Sequence, residues 1–452
     1  MNSRIMIAGT NSGCGKTTVT TALLSLLSES EKTKGRVSAF KCGPDYIDPM
    51  FHRAVLGVPS HNLDLFLAHP QTVRTLYEGA CRDHSAAVCE GVMGFYDGVG
   101  GVTTHASAWQ VADTLHLPVL LVVRPKGSSL TLAAQIRGLQ AFRTPSHLAG
   151  ILLNDCTPML ADSLAPMLER ETGLPVVGCL PHLPEALLES RHLGLYTAAE
   201  IENLTVRLDK MATALEENAD LDRLLRLCER PPRPVPPSPL QPSSTVPIAV
   251  AKDEAFCFTY AETLEVLRQC GAEPVFFSPL HDSALPNAIG GLYLPGGYPE
   301  LYAQTLAENA AMRASIRHAV ENGLPTVAEC GGFLYLSQTL QDAQGQRWPM
   351  AGVLPGDGVQ TQRLVRFGYA ELTAETDSLL FRAGEQFPVH EFHYWDCTQN
   401  GTAFGVRKPI TGRTWRCGFA TPTLYAAFPH LYFAGRPQLA ERFVKAARET
   451  QV

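Results

Sequence analysis

Short apolar runs recur along the chain with amphipathic stretches between them, and the alternation breaks once, at a run of prolines. Before the break, Arg4–Ala8, Val37–Lys41, Ala86–Glu90, Pro118–Val123, Leu148–Asn154 and Val176–Leu180 read as strands. Val19, Ala22, Leu23, Leu26 and Leu27 recur at helical spacing and predict a helix over Thr18 to Leu27. Such alternation predicts a parallel sheet covered by helices on both faces. Residues 231–246 carry too many prolines for a helix or a central strand, so they predict a stiff, exposed linker. A second block follows, with strands expected at Ile248–Ala251, Glu273–Phe277, Gly291–Leu294, Thr326–Glu329 and Leu431–Ala434. No repeat relates the two blocks. The expected fold is α/β, with two different doubly wound domains over 1–230 and 247–452.

Composition narrows the partners. At 452 residues the chain is long enough for two cores. Its 45% hydrophobic and 18% charged residues suit an ordinary soluble protein, and a net charge of -7 argues against a nucleic-acid partner. No uncharged apolar run reaches the roughly 18 residues of a membrane span. The twelve cysteines include no C-x-x-C pair and no signal peptide is evident, so reduced cysteines and a cytoplasmic location are expected.

The first strand leads into Gly9-Thr10-Asn11-Ser12-Gly13-Cys14-Gly15-Lys16-Thr17, which opens the first helix. A strand, a glycine-rich loop and Gly-Lys-Thr at a helix start form the phosphate-binding loop arrangement. Backbone N–H groups and the helix N-terminus favour phosphate oxygens, Lys16 adds a point charge, and the Thr17 hydroxyl suits Mg²⁺. Thr10 stands where the first glycine is expected, and Gly9 comes one residue early. Thr10, Gly13, Gly15, Lys16 and Thr17 are the candidate phosphate contacts for a nucleoside triphosphate.

Ligands of open α/β sheets gather beyond the carboxyl ends of the strands. Lys41-Cys-Gly-Pro-Asp45-Tyr46-Ile-Asp48, Glu90-Gly91-Val-Met-Gly94-Phe-Tyr-Asp97, Arg124-Pro-Lys126 and Asn154-Asp-Cys-Thr-Pro158 all fall there. Glu90, directly after an apolar run and beside a glycine, fits an Mg²⁺ ligand, with Asp45 as a second candidate. Asp45, Tyr46, Asp48 and Asp97 are placed at the acceptor or phosphate site. Taken singly, each carboxylate also reads as a helix cap or a solvated loop charge.

In the second block, Cys330 ends the strand Thr326–Glu329 and is followed by Gly331 and Gly332. A cysteine on such an elbow exposes its sulfur and turns the next N–H groups towards an attacked carbonyl. The helix that follows is expected to favour the thiolate. Gly296 and Gly297, after another strand, are candidates with Gly331 for the oxyanion hole. His430, read as lying just before the strand Leu431–Ala434, is the candidate base. His390-Glu391-Phe-His393-Tyr-Trp-Asp396 matches no usual zinc spacing, and alternation puts His390 and Glu391 on opposite faces, so polar contacts are the favoured reading.

The motifs of the first block resemble dethiobiotin synthetase in order and spacing: Gly9-Thr10, Gly15-Lys16-Thr17, Lys41, Glu90-Gly91 and Asn154-Asp-Cys-Thr-Pro158. The stretch Lys41-Cys-Gly-Pro-Asp-Tyr-Ile-Asp-Pro49 is similar to the signature of the cobyrinic and hydrogenobyrinic acid a,c-diamide synthases. The second block resembles the glutamine amidotransferase domain of that group, related to the class I triad glutaminases. Tyr432 stands two residues after His430, where triad enzymes carry a glutamate.

The resemblance spans essentially the whole chain. It implies that Asn154 reads the adenine edge, that Lys41 joins the phosphate contacts, and that Thr17 and Glu90 hold Mg²⁺. It further implies amidation of cobyrinic acid by L-glutamine and ATP, through an acyl phosphate. Because free ammonia is mostly protonated at neutral pH, the pairing of two sites in one chain leads us to expect a sheltered path for it. A homodimer has support only from analogy with dethiobiotin synthetase-like domains. The same chemistry on hydrogenobyrinic acid or nickel-sirohydrochlorin stays open. A phosphate-loop ATPase switch or carrier is the reading from another class, and it has no use for a cysteine elbow.

Overall fold

Every residue of Ser3–Gly9 (β1) is buried, and the first unit is built outwards from this strand. The structure is a computed structural model that describes residues 2–184, 190–191, 194–195, 204–230 and 244–450. The chain divides into two units, Met1–Pro236 and Pro237–Val452. The linker expected over 231–246 lies outside the described residues as far as residue 243.

In the first unit, β2 (Val37–Cys42), β3 (Ser60–Leu63), β4 (Ala86–Glu90), β5 (Val119–Val123), β6 (Leu148–Asn154) and β7 (Val176–Leu180) join β1. All pairs are parallel, in the order β3-β2-β4-β1-β5-β6-β7. Six of the seven strands follow the apolar runs. β3 escaped because its four residues, Ser-His-Asn-Leu, carry almost no apolar signal at the sheet's edge. Helix α1 (Lys16–Glu29) is longer at both ends than its apolar spacing predicts. The unit closes on its first strand: Arg4 N–H donates to the Cys228 carbonyl and Arg230 N–H to that of Asn2, both at 2.8 Å.

The second unit holds a six-stranded sheet in the order Ala272–Phe277, Val246–Ala251, Gly291–Leu294, Thr326–Glu329, Leu424–Ala427 and Phe419–Thr421. Its pairs are parallel except the last. Leu431–Ala434 is not a strand. The chain turns there into the short 3-10 helix Phe433–Gly435, and the strand lies earlier, at Leu424–Ala427. The apolar run is buried by ring contacts, Tyr432 on Tyr260 and Phe433 on Tyr293, instead of by a strand ladder. Two four-stranded sheets lie between residues 339 and 417, where the apolar runs predict no strands. The helix Pro437–Thr450 buries Leu439, Ala440, Phe443, Val444 and Ala447 along one face, and Arg442 grips Glu385 through two hydrogen bonds of 2.6 and 2.8 Å.

All twelve cysteines are free. Among the described residues, no helix is long and apolar enough to cross a membrane.

One glycine shows how tightly the first unit is closed. Gly178, on β7, has φ +136°, and a Cβ there would collide with the Asn218 carbonyl and Ala219 at the end of the helix Leu204–Asn218. Overpacking of this kind costs about 1–3 kcal/mol. Gly178→Ala is therefore expected to lower the first unit's unfolding midpoint in a denaturant titration followed by circular dichroism. An unchanged midpoint would contradict the close approach.

Candidate functional site

The phosphate loop joins β1 to α1. Gly13 and Gly15 have φ +79° and +96°, backbone that glycine adopts freely. Side chains would not fit at two positions: a Cβ on Gly9 would collide with Cys14 Sγ, and one on Gly15 with the Asn154 amide. The early glycine is thus required by the packing of Cys14. No side chain caps α1 at Gly15, so its first-turn N–H groups remain available to an anion. Lys16 Nζ donates to the carbonyls of Asn11, at 3.1 Å, and Met93, at 2.6 Å. Burial pushes the Lys16 ammonium below its usual range. The Thr10 hydroxyl turns to Asn11 Oδ1.

Beneath the loop, strand register sets Lys41 beside Glu90 and Glu90 beside Ile7. Lys41 Nζ donates to Glu90 Oε1 at 2.7 Å and pairs with Asp48, near the start of α2 (Ile47–Val55). Burial works against the Lys41 charge, but Asp48 and Glu90 more than offset it and hold its pKa well above the usual value. Thr17 Oγ1 donates to the same Glu90 oxygen at 2.6 Å. Glu90 is fully buried, its Oε2 has no hydrogen-bond partner among the described residues, and burial raises its pKa despite Lys41.

Thr17 with an orphaned carboxylate oxygen on Glu90 is a donor set that fits Mg²⁺, which binds few protein oxygens and completes its shell from phosphates. Among the described residues, no group of three or more His, Cys, Asp or Glu side chains is placed to hold a metal. Asp45, the second expected ligand, sits differently. Its Oδ1 accepts from the N–H groups of Ile47 and Asp48 at the start of α2, and Asp48 is the carboxylate that shares Lys41 with Glu90. Tyr46 is buried beside it. Asp97 accepts from Gly94 N–H at 2.9 Å and shapes the loop that carries Met93. Asn154 donates to the Cys14 carbonyl at 3.0 Å, so its amide N–H₂ braces the phosphate loop.

In the second unit, Cys330 has φ +48° and ψ −100°, the strained backbone of a nucleophile elbow. Its N–H donates to the Ala427 carbonyl at 2.9 Å. The glycines around it are sterically required: a Cβ on Gly332 would collide with the Leu294 carbonyl, one on Gly297 with that of Ala255, and one on Gly296 would lie 2.6 Å from His430 Cε1. Gly331 N–H faces the Cys330 sulfur. Among the described residues, no backbone carbonyl accepts from Gly297 N–H.

Burial, then the Glu300 and Glu391 carboxylates, push the Cys330 thiol far up, while Gly331 N–H pulls weakly the other way. The helix Gly331–Leu336, expected to favour the thiolate, has only six residues. His430 follows a strand instead of preceding one, since β-pairing of Glu329 with Ala427 carries the chain round to it. His430 Nδ1 lies 3.4 Å from Glu329 Oε2. Nothing in the sequence marks Glu329 for a role, because strand alternation alone does not reveal what lies beside the last residue of a strand. His390 and Glu391 do take opposite faces: His390 pairs its backbone with His430, and Glu391 turns inward to His393 Nε2 at 3.2 Å.

Half-buried Asp45 offers a pH test. Burial and the Asp48 carboxylate raise its pKa to about 7, above the ordinary 3.8. The fold then holds this proton more tightly than the unfolded chain, so stability falls as pH rises from about 4 to about 7. Asp45→Asn is expected to flatten that slope in melting temperature against pH. Superimposable profiles for the two proteins would refute it.

Known proteins match this chain over both units. Residues 5–195 match the family described as the CobQ/CobB/MinD/ParA nucleotide binding domain, and residues 247–438 that described as the CobB/CobQ-like glutamine amidotransferase domain. A cobyrinate a,c-diamide synthase of Salmonella typhimurium is 40% identical over 98% of both chains. Those of Caldanaerobacter subterraneus and Clostridium acetobutylicum are each 37% identical, over 97% of both chains and over 98% of this chain and 99% of theirs. With likeness at this level over almost its whole length, the chain belongs to the cobyrinate a,c-diamide synthase family.

Proposed function

We propose that residues 1–230 form an ATP-binding amide synthetase domain, 247–452 a glutaminase domain, and 231–246 a linker. Membership of the family makes the protein a ligase that uses glutamine as amide donor to amidate the a and c carboxylates of cobyrinic acid. The observation that carries the division of labour is that one chain holds a phosphate loop with Thr17 on Glu90 and a strained cysteine elbow whose preceding residue, Glu329, faces His430.

A carboxylate is a poor acceptor for ammonia because its oxygen leaves badly. Transfer of the γ-phosphoryl group of ATP to a carboxylate oxygen gives ADP and an acyl phosphate. Ammonia then attacks the acyl carbon, and phosphate leaves in place of oxide. Gly13, Gly15 and the N–H groups that open α1 hold the phosphates, with Thr10 at the rim. Lys16 and Lys41 supply positive charge where negative charge develops. Thr17 and Glu90 would hold Mg²⁺, which neutralises phosphate charge when bound. Asp48 keeps Lys41 charged and in place. Asp45, Tyr46 and Asp97 line the acceptor or phosphate region, and Asn154 serves the nucleotide through the loop it braces.

In the glutaminase half, His430 takes the Cys330 proton as the sulfur attacks the glutamine side-chain amide. Gly331 and Gly297 N–H groups, with Gly296 keeping the space open, stabilise the oxyanion. The imidazolium returns its proton to the departing nitrogen. Water then hydrolyses the thioester to glutamate and restores the thiol.

Cys330→Ala is expected to abolish glutamine-dependent amidation and leave ammonia-dependent amidation largely intact, read as product mass from ATP, Mg²⁺ and cobyrinic acid. Loss of both activities in a folded variant would count against a separate glutaminase role. Lys16→Ala should remove synthesis with either nitrogen donor; normal ammonia-dependent turnover in that variant would sink the phosphate-loop assignment.

A further inference from the structure

Tyr432 occupies the place of the usual triad acid, and its ring packs edge-on against Tyr260 at 5.1 Å. The imidazole of His430 nevertheless faces a carboxylate. Glu329, the residue directly before the nucleophile, is 1% exposed and has its Oε2 3.4 Å from His430 Nδ1. Its other oxygen accepts from Leu431 N–H, also at 3.4 Å, and the Tyr293 hydroxyl donates to the same carboxylate. We propose that Glu329 is the positioning carboxylate of the glutaminase, completing a Cys330–His430–Glu329 triad from the nucleophile's own strand.

Three observations converge on this role. The backbone of His430 is already pinned, its N–H donating to the His390 carbonyl at 2.9 Å and its carbonyl accepting from His390 N–H at 3.4 Å. The remaining freedom is rotation of the ring, and Glu329 is the carboxylate that meets it. Gly296 leaves the ring room to take this orientation, since a Cβ there would lie 2.6 Å from His430 Cε1. A carboxylate on Nδ1 favours the tautomer with its proton there, which leaves the Nε2 lone pair to accept from the cysteine. The separation of 3.4 Å is long for a hydrogen bond, and catalytic contacts of this kind shorten once substrate is bound.

The elbow explains how adjacent residues serve both ends of one relay. In a regular strand, Glu329 and a following residue point to opposite faces. The positive φ of Cys330 breaks that alternation, and the parallel register of Glu329 with Ala427 brings His430 back over the strand end. Burial disfavours the thiolate of Cys330, and an oriented base offsets that by taking the proton as the sulfur attacks.

This inference rests on the assignment of Cys330 and His430, so the experiment treats the two separately. Steady-state glutaminase kinetics and ammonia-dependent amidation are measured on the full chain and on Cys330→Ala, His430→Ala, Glu329→Gln and Glu329→Asp. Glu329→Gln is expected to lower glutaminase kcat about 100-fold, with KM for glutamine and ammonia-dependent amidation unchanged. Glu329→Asp, which keeps the charge but withdraws it by one methylene, should recover part of kcat. Wild-type kcat in Glu329→Gln, while Cys330→Ala and His430→Ala are inactive, overturns the positioning role alone. Retained glutaminase in either of those two overturns the underlying assignment. If Glu329→Gln also loses ammonia-dependent amidation, Glu329→Asp decides: reduced kcat at constant KM supports the proposal, and an unchanged kcat overturns it.

Discussion

An ammonium group buried beneath the phosphate loop is tolerable only because two carboxylates lie against it. Lys41 is 5% exposed, with Glu90 on one side and Asp48 on the other. Removing one partner of such a buried pair typically costs about 3–5 kcal/mol, since the other charge is left without compensation. The geometry of the first unit follows from meeting that demand. Strands β2 and β4 must pair in the register that sets Lys41 beside Glu90, and α2 must begin where Asp48 reaches the ammonium. Glu90, held in this way, presents the oxygen on which the Thr17 hydroxyl rests, and so fixes the start of α1. Asn154 secures the loop from the other side through the Cys14 carbonyl.

The second unit solves a related problem with the backbone. A nucleophile has to stand clear of its sheet while its neighbours approach closely, and Cys330 does so by accepting a conformation that costs on the order of 1–3 kcal/mol. That strain is held by contacts that leave no room for side chains at Gly297 and Gly332. Burial then raises the thiol's pKa, which works against a standing thiolate. Both sites therefore sit at the carboxyl ends of parallel strands, where the register, and not the chain order, chooses the neighbours.

Much of this was legible along the chain. The apolar runs located six of the seven strands in the first sheet, because strands buried on both faces must be apolar almost throughout. The phosphate loop and the cysteine elbow declared themselves through glycines, whose positions answer to steric demands that act over a few residues. Less was legible where the signal depends on contacts distant in sequence. β3 is short and polar, and the run Leu431–Ala434 is apolar because rings pack on it, which imitates a strand. Spacing favoured Asp45 over Asp48 as a second metal ligand, yet Asp48 is the one that pairs with Lys41; Asp45 turns to the backbone of its own helix start.

By itself, then, the sequence determined which residue types stand at the strand ends, that two separate chemistries share the chain, and which local turns carry them. These depend on period, on glycine and on side-chain chemistry, all of which are local. Only the tertiary structure decided that one Glu90 oxygen serves both Thr17 and Lys41, that Asn154 braces the phosphate loop, and that Glu329 faces His430 across 101 positions of chain. The reason is physical: strand register and a single positive φ set those distances, and neither is written in the spacing of the residues that meet.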